Sequence, residues 1–152
     1  DEVYSLIYQS LSVELEGYAA LALKREQTYN LTSPLLGKIP ALTDDEARKC
    51  EQDALLEIGN IIISSCVTII INFLSKDVEL SLPYYQEDTM HKLLHDLCQK
   101  VSKVPRKVLV ISTSLNSSSD RMSGCLFLVL TEASVNNMIE SITRLINGED
   151  VG

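Results

Sequence analysis

Asp53, Glu57, Asn60, Ser64, Thr68 and Asn72 follow one another at spacings of three and four within the stretch DALLEIGNIIISSCVTIIINFLS. On a helix such residues share one side. The rest of that stretch is almost entirely Ile, Leu, Val, Phe and Cys, the longest apolar run in the chain. A helix that is apolar on most sides is ordinarily buried, yet a carboxylate and a carboxamide are costly to bury without partners. Glu57 and Asn60 are therefore the first residues to ask chemistry of. Three apart on a helix, their Cβ atoms would stand ~5–6 Å from each other. Neither is a good nucleophile here, and an amide cannot be a general base. An amide can orient a water while a neighbouring carboxylate grips a cation. That pairing suits hydrolysis of an already activated phosphoryl group, where catalysis is mostly positioning and the metal comes with the substrate. The bland alternative is a polar stripe where a core helix meets solvent, with Asn60 satisfying a backbone group.

Other chemistry is weakly signalled. The chain has no G-x-S-x-G elbow, Walker loop, G-x-G-x-x-G or H-E-x-x-H. His91, His95 and Cys98 share a helical face, but Leu94 and Leu97 occupy part of it and no fourth ligand is evident. No metal site is expected. The serine-rich stretch 112–119 has no histidine or base near it in sequence and reads as a solvated hairpin tip.

The elements that must carry Glu57 and Asn60 follow from periodicity. Val3, Leu6, Ile7, Leu11, Leu15, Tyr18, Ala22 and Leu23 predict an amphipathic helix over 3–25. Residues 28–45, with Asn30, Pro34, Gly37 and Pro40, have connector composition. Thr43 and Glu46 have capping-box spacing, so a helix should start near Asp44 and run to about Ser75. Val78, Leu80, Leu82 and Tyr84 alternate with polar residues as in a half-buried strand, with Pro83 marking an end or an edge. A helix should begin around Glu87–Thr89 and reach about Lys103, before Pro105. Residues 106–115 and 121–130 read as a hairpin, with a bulge or close approach at Gly124. A last helix should run from Thr131 to Gly148. No internal repeat is apparent. This order predicts an α+β fold: a small, mainly antiparallel sheet covered by helices, with one long central helix bearing the motif.

Composition sets the class. At 152 residues, with 45% hydrophobic and 22% charged content, the chain is read as a single domain, 1–152. Its net charge of −8 argues against nucleic acid and against an anionic membrane surface. The local basic cluster of Lys100, Lys103, Arg106 and Lys107 reads as a solvated helix end. Residues 55–74 approach the length of a membrane span, but Glu57, Asn60 and the other polar residues would lie inside the bilayer. A buried core helix is expected instead. The four cysteines form no C-x-x-C pair, and the acidic start at Asp1 and Glu2 lacks a secretory pattern, so a reducing, cytoplasmic setting is expected.

At Asp53, Glu57, Asn60 and Pro83 the sequence resembles the chemotaxis phosphatases of the CheC, CheX and FliY type. Their signature is (Asp or Ser)-x3-Glu-x2-Asn-x22-Pro, and every spacing is met, with EIGN intact. The GCLFLVL strand leading into a helix is similar too. The resemblance covers about 46–148 and leaves 1–45 uncovered. It implies hydrolysis of the aspartyl-phosphate of a CheY-like response-regulator receiver domain. Asn60 would align the attacking water, Glu57 would reach the receiver's lysine, and Asp53 and Pro83 would support the site. The chain would need no cofactor of its own, since Mg²⁺ would belong to the receiver. A single motif copy is like the CheX type and implies a homodimer. A different class also fits the motif: a non-catalytic module that binds phosphorylated receivers, flagellar-switch components or chemotaxis adaptors.

Overall fold

The computed structural model describes residues 2–37, 43–101, 106–116 and 121–149, without the side chains of 110–116 and 121. The elements are β1 (Val3–Val13), β2 (Gly17–Lys24), a 3-10 turn (Arg25–Gln27), α1 (Thr28–Leu36), α2 (Asp44–Leu74), β3 (Val78–Leu80), β4 (Tyr84–Thr89), α3 (Met90–Lys100), β5 (Arg106–Asn116), β6 (Arg121–Thr131) and α4 (Glu132–Ile146). All pairings are antiparallel, in the order β3-β1-β2-β6-β5, with β4 also on β1. This is the expected α+β class.

The first expectation to fail is the helix over 3–25. That segment is the β1–β2 hairpin, registered from Tyr4↔Lys24 to Leu11↔Gly17. The strands occupy the middle of a sheet covered on both faces. Ile7, Leu11, Ala19, Leu21 and Leu23 face one core with Leu55, Ile63 and Val67 of α2. Leu6, Ala20 and Ala22 face the other with Leu93 and Leu97 of α3. Two buried faces erase the apolar–polar alternation that marks a strand, and what is left mimics helical spacing. The turn signal is also weak. Glu14, Leu15 and Glu16 carry no turn residue, and Gly17, at φ +150°, lies so near β6 that a Cβ there would meet the Val129 carbonyl oxygen at 2.0 Å.

The connector read over 28–45 is partly helical, since α1 occupies Thr28–Leu36 with Pro34 inside it. Thr32 Oγ1 donates to the Thr28 carbonyl there. Residues 38–42, including Pro40, lie outside the described residues.

α2 starts as the spacing requires. Thr43 Oγ1 accepts from the Glu46 amide while the Glu46 carboxylate accepts from the Thr43 amide. Its end is marked by Ser75 in the left-handed region, φ 51°. The expectation of a buried core helix is met on one side only. Leu55, Gly59, Ile63, Val67 and Leu74 are buried, but Ile61, Ile69 and Phe73 are 63%, 70% and 63% exposed. A helix laid on a sheet buries the side that touches it and leaves the rest to solvent. By length and composition alone α2 could cross a membrane, a test that core helices also pass, and 28% of its most apolar window is buried.

The remaining elements fall close to expectation. Thr89 and Thr131 cap α3 and α4, each accepting from the backbone amide three residues on. α3 ends at Lys100, short of Lys103, which with Pro105 lies outside the described residues. Pairing runs without a register shift through Gly124, so of the bulge or close approach expected there the bulge is not present. The tip residues 117–120 lie outside the described residues. A structural repeat that the sequence hides is present. The β1–β2 hairpin leads to α2, the β5–β6 hairpin leads to α4, and β2 and β6 pair at the centre with both helices on the same face. α4 carries no Glu-x-x-Asn.

Candidate functional site

The strand expected over 78–84 is broken in two. β3 pairs with β1 from Leu11↔Leu80, and β4 pairs from Tyr8↔Tyr84. Between them Ser81, Leu82 and Pro83 stand opposite Gln9 and Ser10, one residue too many, which is a β-bulge. Pro83 has no N–H to give the ladder, so the interruption falls where the sequence places it. Ser10 and Ser81 hold the bulge: the Ser81 amide donates to the Ser10 carbonyl at 3.1 Å, and the Ser10 amide donates to Ser81 Oγ at 2.9 Å.

The freed Ser81 carbonyl turns to the interior. Gln9 Nε2 donates to it at 2.7 Å and to Asn60 Oδ1 at 3.0 Å. Ser64 Oγ, one turn along α2, donates to the same Asn60 oxygen at 3.3 Å. Gln9 is 2% exposed. Asn60 is half-buried, while Glu57 and Asp53 are exposed and Pro83 is half-buried. Two of the four expected residues are thus linked through the sheet, Asn60 by its side chain and Pro83 through the bulge it ends. Glu57 stands one turn before Asn60 on the same edge. Asp53 stands a further turn back, and no described residue ties it to Asn60.

Three residues of this site were not anticipated. Gln9 lies in the segment 3–25 that periodicity reads as an amphipathic helix. Ser81 carried one signal, its place two residues before Pro83. Gly59 is the third: a Cβ there would lie 2.5 Å from Ile7 Cγ2. The absent side chain lets α2 approach β1 closely enough for Gln9 to reach Asn60.

A charged cluster fixes the first half of α2. Arg25 donates both terminal nitrogens to Glu51 at 2.9 Å, and its Nε lies 3.2 Å from Glu87. Arg48 donates to Glu87 at 2.8 Å, and the Tyr85 hydroxyl donates to Glu87 as well. Burial opposes the Arg25 charge, but hydrogen bonds and attraction from Glu51, with the charge of Glu87, outweigh it and raise its pKa. The cluster joins the start of α1, the α2 turn before Glu57, and β4. A cleft of about 940 Å³ opens beside it, lined by Arg25, Tyr29, Arg48, Glu51 and Glu87 among others. Glu57 and Asn60 line neither this cleft nor the smaller described ones. Glu57 is exposed and Asn60 half-buried, with exposed Ile61 beside them.

Among the described residues no group of three His, Cys, Asp or Glu is arranged to hold a metal ion. His91 and His95 are exposed and Cys98 half-buried on α3, across the sheet from α2. The four cysteines are free and half-buried, with Cys66 and Cys125 packed at the two cores.

The fold is shared with solved structures. The chain superposes on Thermotoga maritima FliY with a TM-score of 0.68 at 17% identity, covering 95% of this chain and 72% of that one. It superposes on CheX in a crystal of the CheX–CheY–BeF3–Mg complex from Borrelia burgdorferi with a TM-score of 0.58 at 15% identity, covering 84% and 76%. At such identities the likeness shows a shared fold. At 95% coverage, the likeness to FliY takes in at least part of the β1–β2 segment, which the motif resemblance left uncovered. No protein-family model and no curated protein matches the sequence.

Proposed function

We propose that the chain is a phosphatase acting on the aspartyl-phosphate of a CheY-like receiver domain in chemotaxis signalling. The observation that carries the reading is the presentation of Asn60: tied by its oxygen to Gln9 and Ser64, on an edge shared with exposed Glu57 and outside every described cleft. The four-residue motif spacing and the fold shared with FliY and CheX support it, as does the CheX relative crystallised with CheY, BeF3 and magnesium. In this reading α2 enters the receiver's phosphorylation site. Asn60 holds a water in line with phosphorus. The water oxygen bonds to phosphorus as the acyl P–O bond breaks, the electron pair leaves on the receiver's aspartate, and the water proton goes to the phosphate released. Glu57 pairs with the receiver's lysine and fixes the approach. Asp53 and Pro83 support the helix and the bulge. Mg²⁺ belongs to the receiver, and this chain contributes no cofactor. The site is cytoplasmic in this reading, and the single motif copy favours a homodimer.

The competing reading is a non-catalytic module that binds phosphorylated receivers or flagellar-switch proteins, favoured by the exposed apolar residues beside the motif. Mixing the protein with a phosphorylated CheY-like receiver and following phosphate decay separates the two. Faster decay supports the phosphatase. Binding with unchanged decay makes it a binding module.

A further inference from the structure

We infer that Gln9 is the positioning residue for Asn60, fixing which end of its carboxamide meets the substrate; the inference rests on the phosphatase reading. The polarity can be followed atom by atom. The Ser81 carbonyl can only accept, so the Gln9 atom 2.7 Å from it must be the amide nitrogen. That same nitrogen lies 3.0 Å from Asn60, so the Asn60 atom facing it must be the oxygen. Ser64 Oγ donates to that oxygen as well. With two donors on Oδ1, both of its lone-pair directions are engaged, and Nδ2 is the end left to face outward. Asn60 can then give hydrogen bonds to a water oxygen or a phosphoryl oxygen, but it has no acceptor left to offer.

Gln9 satisfies the Ser81 carbonyl, yet it is itself only partly satisfied. Its Oε1 is buried without a partner among the described residues, which costs free energy that an apolar side chain of similar length would not incur. Both N–H groups of the same carboxamide are used, one on the bulge and one on Asn60. A residue that costs stability at a candidate site while orienting the reacting side chain is the pattern of function taking precedence over packing. It also gives Pro83 a physical role: by breaking the strand it releases the Ser81 carbonyl that sets the polarity.

Gln9→Met tests this, because it keeps length and volume and removes both donors. The variant should remain folded and bind the receiver within about twofold. Its kcat for phospho-receiver decay should fall about tenfold to a hundredfold, as for a misplaced catalytic group. In an Asn60→Ala background the same substitution should cause no further loss. An unchanged kcat in a folded Gln9→Met protein overturns the positioning role alone, as does an equal loss in the Asn60→Ala background. A wild-type protein that leaves decay unchanged overturns the phosphatase reading and the role together. Side-chain amide exchange of the wild-type protein by nitrogen-15 NMR decides the geometry without activity, and covers a Gln9→Met variant that does not fold. Slow exchange at Gln9 Nε2 with fast exchange at Asn60 Nδ2 is expected; the reverse order overturns the inference.

Discussion

Gly59 lies against Ile7 so closely that a single added carbon would sit 2.5 Å from Ile7 Cγ2 and 2.8 Å from its Cβ. That approach sets the height of α2 above β1. Gln9 lies two residues along the strand from Ile7, and Asn60 follows Gly59 on the helix. The close contact and the Gln9–Asn60 hydrogen bond are therefore one arrangement.

Gly59→Ala is expected to destabilise the protein by about 1–3 kcal/mol, the usual cost of overpacking a tight contact. The better helix propensity of alanine recovers less than that. Urea unfolding measures the loss. Lifting the helix should also lengthen the Gln9–Asn60 bond, so receiver dephosphorylation should slow even where the variant is fully folded.

Ile61 is 63% exposed on the turn after Glu57. An exposed apolar side chain beside the candidate site contributes to a partner's surface and little to folding. Ile61→Asn should therefore leave the midpoint of thermal unfolding within a degree or two, while raising the Kd for a phosphorylated receiver about tenfold. Titration calorimetry of the complex reads both the affinity and its heat.

Arg25 holds two carboxylates that are mostly buried, Glu51 at 13% and Glu87 at 17% side-chain exposure. Arg25→Met leaves them facing each other's charge with Arg48 as the remaining cation on Glu87. The loss should be about 3 kcal/mol, the lower range for breaking a buried pair, because Arg25 itself is partly exposed. Glu51 should account for more of it than Glu87 in the matching Gln substitutions.

Burial raises the Tyr85 phenol well above its ordinary value of 10.0, and its hydrogen bond to Glu87 raises it further. The folded state thus favours the neutral phenol. In the unfolded chain the phenol ionises first, so this contribution is complete below about pH 10 and is lost as pH rises from there towards the folded value. Stability should fall on going from about pH 9 to about pH 11, and Tyr85→Phe should flatten that fall. Denaturation midpoints across the range measure it.

What the sequence made legible follows from how much of each pattern survives burial. The α2 start was readable because Thr43 and Glu46 act locally, and α3 and α4 because each has a clear cap; β5 and β6 were readable from the polar stretch between them in sequence, although β6 is buried on both faces. β1 and β2 were misread because Ala19 to Leu23 are buried on both faces, leaving no alternation to count. Glu57 and Asn60 could be found because their helical spacing is a local property. Gln9 could not, since its partner is 51 residues away and joins it only through sheet register. Gly59 is silent for the same reason, its close contact being made across two layers.

Comparing wild type with Asn60→Ala in the decay of a phosphorylated CheY-like receiver, with receiver binding measured alongside, bears most directly on the proposed reaction. Wild type should accelerate decay, and Asn60→Ala should lose that acceleration by about 10²–10³-fold, as for other lost transition-state donors, while still binding. Wild-type binding without acceleration, or acceleration that survives Asn60→Ala intact, would contradict it.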